Sequence, residues 1–199
     1  MTTIYLIRHA QPNFSVHNDM ERPLTAEGRE SCRWVTSYLQ KKQVHRIFSS
    51  PYRRAVDTVQ PFADEMGLTI QTVYELRERG VDSAWIENFD EFVHCQWKDF
   101  EYKRKGGESL REVQDRCIRA LEAILEKHRD SNIVIGSHGT AISVILHCYD
   151  NSYGVEQFNL IRNIMPFAAR LTFEAKECIS MEILDIREGE EIKLYESHF

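Results

Sequence analysis

Short apolar runs and longer stretches of helical period alternate along this chain. Apolar and β-branched residues concentrate at 3–8, 45–49, 69–73, 133–137, 169–174 and 179–186, and each run predicts a strand. Between them, helical spacing predicts helices at 25–42, 51–66, 109–129 and 140–149. The third is the most regular: Leu110, Val113, Cys117, Leu121, Ile124 and Leu125 fall on one face, and Ser109 with Glu112 forms a capping box at its start. Strand-helix alternation of this kind predicts an α/β fold, a three-layer α/β/α sandwich around a mostly parallel sheet of about six strands, with the last two strands forming a hairpin.

Composition narrows the class of protein. A length of 199 residues with 42% hydrophobic content suits one domain over 1–199 with a sizeable core, and a polar, basic stretch at 99–107 reads as an exposed loop inside a short insert or lid at about 79–107. The formal net charge of −6 and a pI near 5.8 argue against nucleic acid as a partner, which would call for a basic face. No apolar run approaches the roughly 18 residues that a membrane span needs, and the N-terminus enters a strand directly, so a soluble, cytoplasmic protein is expected. Five cysteines, Cys32, Cys95, Cys117, Cys148 and Cys178, contain no CxxC pair and read as buried reduced thiols rather than zinc ligands or a disulfide framework. A homodimer through an edge strand of the terminal hairpin is compatible with this pattern.

Chemistry concentrates where strands should end. Arg8-His9 closes the run Ile4-Tyr5-Leu6-Ile7, and Ser137-His138-Gly139 closes Ile133-Val134-Ile135-Gly136. Open α/β sheets bind ligands in the crevice outside the carboxyl ends of their strands. Ser49-Ser50-Pro51-Tyr52-Arg53-Arg54 follows the second strand and opens a helix, with serine as the expected cap and proline at the first helical position. Arginine in a first helical turn sits beside free N–H groups and the positive dipole end, which favours a bound phosphate. A guanidinium fork at Arg8 adds a second match to phosphate oxygens. Read singly, each of these residues is as well explained by surface ion pairing.

Their joint order changes the weighting. RHAQ at 8–11, RPLTAEG at 22–28, SSPYRRA at 49–55, LRE at 76–78, GES at 107–109 and GSHG at 136–139 together resemble the histidine phosphatase superfamily, in the branch of cofactor-dependent phosphoglycerate mutases and small phosphatases. The resemblance implies that His9 is the phosphorylated nucleophile, that Arg8, Arg54 and His138 hold the phosphoryl group, and that Glu78 is the proton donor. It selects Arg54, directly before alanine, over Arg53. Gln11, Ser15 and Gly139 join Arg8, Arg54 and His138 as expected substrate contacts. Ser15 stands where the family commonly has asparagine, and Asp82 stands where relatives carry glycine after the acid, so contacts there differ from the pattern. His138 is expected to donate to the phosphoryl oxygens, as imidazolium once a dianion binds. The remaining histidines, His17, His45, His94, His128, His147 and His198, match no motif and read as structural.

Phosphoryl transfer needs an in-line nucleophile, cations around the equatorial oxygens and an acid for the leaving oxygen, and this set supplies all three without a metal or other cofactor. Only 29 residues separate Glu78 from Glu108, and the chain ends soon after the expected hairpin, whereas the resembling mutases carry longer inserts and a closing tail. A more open site favours water as acceptor. The expected activity is metal-independent hydrolysis of a small phosphorylated metabolite. Mutase-type transfer, a protein phosphatase and a non-catalytic phosphate sensor are the alternatives. Six aromatic residues, Trp85, Phe89, Phe92, Trp97, Phe100 and Tyr102, crowd the insert and are expected to seat a helix on the core more than to line a pocket.

Overall fold

The computed structural model describes residues 1–82 and 87–197. Seven strands form one sheet in the order β3-β2-β4-β1-β5-β6-β7: β1 (Thr2–Arg8), β2 (Arg46–Ser49), β3 (Ile70–Thr72), β4 (Asn132–Ser137), β5 (Ala168–Glu174), β6 (Glu177–Asp185) and β7 (Ile192–Glu196). The first four run parallel to their sequence-ordered neighbours, and β5, β6 and β7 add on antiparallel. The three-layer α/β class is as expected. Five of the seven strands point the same way, with three pairings parallel and three antiparallel, and the sheet has one strand more than the six expected. β7 carries Lys193 and Glu196 and lacks the long apolar run that marks a strand in sequence; Lys193 instead pairs with Glu182 of β6 at 2.7 Å and Glu196 at 2.9 Å. It covers the edge of the hairpin that the sequence left open.

Side-chain alternation along β1 and β4 builds the two cores. Ile4, Leu6, Ile133 and Ile135 face α4 (Leu110–Lys127) and α5 (Gly139–Tyr149), whereas Tyr5, Ile7 and Val134 face α1 (Ala26–Leu39) and α2 (Arg53–Met66). The capping box of α4 forms as expected, with Ser109 accepting from the Glu112 N–H and the Glu112 carboxylate accepting from the Ser109 N–H. Pro61 lies inside α2, where it can donate nothing to the Asp57 carbonyl; the Cys32 thiol of α1 lies 3.8 Å from that oxygen. Of the five cysteines, all free, only Cys32 and Cys117 are buried; Cys95 and Cys178 are half-buried and Cys148 is exposed.

Two further helices complete the wall around the strand ends. α3 (Phe89–Lys98) begins at Asn88, whose side chain accepts from the Glu91 N–H, and α6 (Val155–Ile161) precedes β5. Trp97 of α3 packs on Phe100, Tyr153, Phe158 and His147, so this part of the aromatic insert seats the helix on the core. Trp85 and His198 lie outside the described residues. No described helix is long and apolar enough to cross a membrane.

Candidate active site

The parallel strands β1, β4 and β2 lie side by side, so their carboxyl ends deliver Arg8-His9, Ser137-His138 and Ser49-Ser50 to one edge of the sheet. A cavity of about 740 Å³ opens there, and Arg8, His9, Arg54, Glu78 and Gly139 all line it. Five residues that the sequence spreads over 132 positions (8 to 139) thus share one space, at the strand ends where open α/β sheets bind their ligands.

His9 is buried, and its Nδ1 lies 2.7 Å from the carbonyl oxygen of Ala10. A carbonyl only accepts, so Nδ1 carries the proton and the neutral ring keeps its lone pair on Nε2. Burial first, then the charges of Arg54 and Arg8, push the ring's pKa well below its ordinary 6.5. This ring is therefore a neutral base with one free nitrogen.

Arg8 sits behind Gly139. A Cβ at 139 would come within 3.2 Å of the Arg8 Cζ and Nε, so a larger residue would press on the guanidinium and shift it by a few tenths of an ångström. Its Nη1 donates to the carbonyls of Ile161 (2.9 Å), Arg162 (2.8 Å) and Ile164 (3.0 Å), at the exit of α6, while Nε is buried without a partner. These are dipoles rather than carboxylates. They fix the group without neutralising it, and burial lowers its pKa to about 10.

Arg54 occupies the first turn of α2, with Nη1 donating to the Asp19 backbone oxygen at 2.6 Å and lying 3.2 Å from the Asp19 carboxylate. Arg53, its neighbour, is exposed and pairs with Asp57 at 3.4 Å. The choice between the two arginines thus agrees with the helix's geometry. The expected cap does not hold: α2 starts at Arg53 after Tyr52, and Ser50 is drawn elsewhere, its Oγ accepting from the Tyr52 N–H and lying 2.8 Å from Nε2 of His138. The other ring nitrogen of His138, Nδ1, is buried with no hydrogen-bond partner among the described residues.

His138 itself is fully buried behind His9, ring centroids 5.3 Å apart, and does not form part of the cavity surface. Burial, then Arg54, His9, Arg116 and Arg8, hold its pKa well below 6.5. These effects favour the neutral ring, and a bound dianion would have to offset them to give the imidazolium expected in the complex. Glu78 lines the cavity with Oε2 accepting from the Thr140 N–H of α5 at 3.2 Å and Oε1 from the Arg79 N–H at 2.9 Å. The loop that carries it is clasped from below: Glu108 of GES accepts from the Gly80 N–H (2.8 Å) and from Arg77 and Arg116, while Arg116 donates to the Glu78 carbonyl. Gly107 allows the clasp, because a Cβ there would stand 2.2 Å from the Val81 carbonyl oxygen.

Besides His138, two further expected contacts, Gln11 and Ser15, do not reach the cavity wall. Gln11 is exposed and presents its backbone carbonyl to the Thr25 N–H, and the Ser15 hydroxyl is turned onto Asn13 Oδ1 at 2.7 Å. Short polar side chains in a turn satisfy their own backbone first, which explains the loss. Asp19, Tyr52, Arg79 and Thr140 line the cavity without having been singled out. Thr140 follows GSHG directly and Tyr52 lies within SSPYRRA, so the motifs hinted at both; nothing in the pattern marks Asp19. Among the described residues no group of three or more His, Cys, Asp or Glu is placed to hold a metal ion. His45, His128 and His147 serve packing and backbone contacts, as with His147 Nδ1 on the Tyr153 carbonyl.

Comparison with known proteins defines the class. Residues 4–169 match the histidine phosphatase superfamily (branch 1), and the chain belongs to that family, an enzyme of histidine phosphatase type. It is 30% identical over 154 residues to phosphoglycerate mutase-like protein 4 of Arabidopsis thaliana, covering 70% of this chain and 67% of that protein. Its fold is similar to a mycobacterial glucosyl-3-phosphoglycerate phosphatase solved with VO3 (TM-score 0.72, 20% identity, 88% of this chain and 94% of that one). A phosphoserine phosphatase of Entamoeba histolytica in complex with 3-phosphoglyceric acid is also similar (TM-score 0.70, 17% identity, 100% of this chain and 98% of that one).

Proposed function

We propose that this protein is a metal-independent phosphomonoesterase that hydrolyses a small phosphorylated metabolite through a phosphohistidine at His9. The observation that carries the reading is the His9 ring, with Nδ1 tied to a carbonyl, Nε2 free, and two guanidinium groups lining the same cavity. In the first step the Nε2 lone pair attacks phosphorus, the ester P–O bond breaks, and Glu78 gives its proton to the departing alkoxide. Arg8 and Arg54 stabilise the charge on the equatorial oxygens, with His138 packed against the nucleophile's ring. In the second step Glu78 removes a proton from water, whose oxygen attacks phosphorus; the P–N bond breaks, releasing phosphate and restoring the neutral ring. No step calls for a metal or cofactor. Arg79, Gly80, Val81, Asp82, Phe89 and Val93 form one wall of the cavity. Relatives named for phosphoserine and glucosyl-3-phosphoglycerate support a small metabolite as substrate.

A panel of phosphorylated metabolites and phosphopeptides, assayed under chelator, tests this reading together with His9→Ala. The expected result is selective turnover of a metabolite, lowered about 10⁴-fold by the substitution, and an acid-labile phosphoenzyme in the parent alone. Preferential turnover of phosphopeptides, isomerisation of 3-phosphoglycerate outpacing hydrolysis, or phosphate binding without turnover would each overturn it.

A further inference from the structure

The two arginines of the phosphoryl seat are balanced differently. Arg8 gives its Nη1 to three carbonyl oxygens, dipoles that leave its charge intact. Arg54 faces a carboxylate: Nη1 lies 3.2 Å from Oδ1 of Asp19 and Nη2 3.5 Å from Oδ2, while the Asp19 main-chain oxygen accepts a further bond from Nη1 at 2.6 Å. Both terminal nitrogens, the fork that would grip two phosphate oxygens, are thus turned to an anion that the chain itself provides. Asp19 lines the cavity together with Arg8, His9 and Arg54.

Loop 12–24 is built to hold that carboxylate in place. Its ends are joined by the Pro12–Leu24 bridge and by the Asn13 N–H on the Pro23 carbonyl (2.8 Å). Asn18 Oδ1 accepts from the N–H groups of Met20 (3.1 Å) and Glu21 (3.3 Å), which sets the turn around Asp19. Arg22 grips the same carboxylate from the loop side, with Nη1 2.6 Å from Oδ1, and is itself fixed by the carbonyls of Val16 (Nε, 2.8 Å) and His17 (Nη2, 3.4 Å). Exposure decides which partner yields: the Arg54 side chain is 4% exposed and that of Asp19 44%. A buried guanidinium left without an anion is unfavourable, whereas a carboxylate that keeps Arg22 and water loses little when it turns from Arg54.

We propose that Asp19 is the resident counter-ion of the phosphoryl seat: it holds Arg54 when the site is empty, yields it to the incoming dianion, and by reclaiming it speeds departure of the phosphate product. The proposal rests on the hydrolase reading for what is released and on anion binding alone for the exchange itself. Hydrolysis leaves in the seat a dianion with the same oxygens as the substrate's, so two uncompensated arginines there would hold product as firmly as substrate. A carboxylate beside one of the two lowers the affinity of both. Arg22 keeps Asp19 within reach of Arg54 after each exchange. Asp19 acts through Arg54 and not on the reacting atoms, which makes it a positioning residue.

Inorganic phosphate, titrated by calorimetry at fixed ionic strength, reads the exchange without turnover. In His9→Ala the dissociation constant is expected to fall about 10-fold when Asp19→Asn is added, because asparagine keeps the main-chain bond to Arg54 and loses only the charge. If Asp19 did no more than hold Arg54 in place, the sign would be opposite, with phosphate bound more weakly. Weaker or unchanged binding would therefore overturn the proposal. So would Asp19→Glu binding phosphate as tightly as Asp19→Asn, because charge would then not be the cause. With His9 intact, Asp19→Asn should lower the inhibition constant of phosphate about 10-fold against p-nitrophenyl phosphate, with KM falling and kcat not rising; a raised KM would count against the exchange. Asp19→Ala is the second neutral variant should asparagine fail to fold. Tighter phosphate in the neutral variants of a protein that hydrolyses no ester would sink the hydrolase reading and leave the counter-ion standing. Turnover with a phosphate affinity indifferent to position 19 would do the reverse.

Discussion

The floor and the wall of the cavity are built by different means. On the floor, Arg8 and His9 leave the end of β1, with His138, at the end of β4, buried behind them, and backbone carbonyls or a single hydroxyl orient them: Ile161, Arg162 and Ile164 for Arg8, Ala10 for His9, Ser50 for His138. On the wall, Arg79 is held by side chains alone, Gln96 and two phenylalanines of α3. A floor made from strand ends and main-chain acceptors tolerates sequence drift around it. A wall made from side-chain contacts changes with each substitution, so chemistry is general to such a site and selectivity is local to it.

The sharpest way to break this contrast is Arg54→Ala, which should lower kcat/KM about 10²- to 10³-fold for all phosphomonoesters alike, since it removes a floor charge that every phosphoryl group meets. If the loss fell on one ester class, floor and wall would not be separable. The parallel substitution Arg53→Ala is the control at the small end of the range.

Acid is the next probe. His9 and His138 are buried neutral, so the unfolded chain binds more protons than the folded one once pH falls below their ordinary 6.5. Stability is then fully present above about 6.5 and falls as pH drops, with a slope approaching about 1.4 kcal/mol per pH unit for each ring. Urea unfolding at pH 7.5 and 5.5 should show that loss, and His138→Asn should remove about half of the slope. A flat profile would mean that the floor rings are solvated or charged. Glu108, whose carboxyl lies below its ordinary value despite partial burial because Arg116 and the Gly80 N–H hold it, adds a further loss as pH falls through 4.5 and below.

Glu108 also joins floor to wall. Glu108→Gln turns an NH2 toward Arg116 or the Gly80 N–H and should cost about 2 kcal/mol in denaturant unfolding, with turnover lowered for all esters because the Glu78 loop loses its clasp. Retained stability would show the clasp to be redundant. Arg53→Ala, at the bottom of the scale, should change stability by less than about 0.5 kcal/mol and kcat/KM by less than twofold, as its one partner is an exposed i,i+4 carboxylate.

Legibility followed the same division. Period-2 and period-3.6 patterns marked β1, β4, α1 and α4 because their burial repeats along the chain, and β7 escaped because it is short, buries no residue fully and mixes Leu194 and Tyr195 with Lys193 and Glu196. The motif ends brought out Arg8, His9, Arg54, Glu78 and His138, each attached to an element whose boundary is itself visible in sequence. Ser50 passed for a cap, since local sequence cannot tell a hydroxyl serving its own helix from one serving a histidine 88 residues away. Arg79 passed for a neighbour of the acid, because what singles it out is the presence of Phe89, Phe92 and Gln96 around it.

By itself, then, the order of residues determined the α/β class and which side chains stand at strand ends, since those follow from local periodicity and from where an apolar run must stop. The proton's place on the His9 imidazole, the carbonyl cradle of Arg8 and the side-chain clamp on Arg79 were decided only by tertiary structure. Each of these depends on which donors and acceptors from distant segments are left facing one another once water has been excluded.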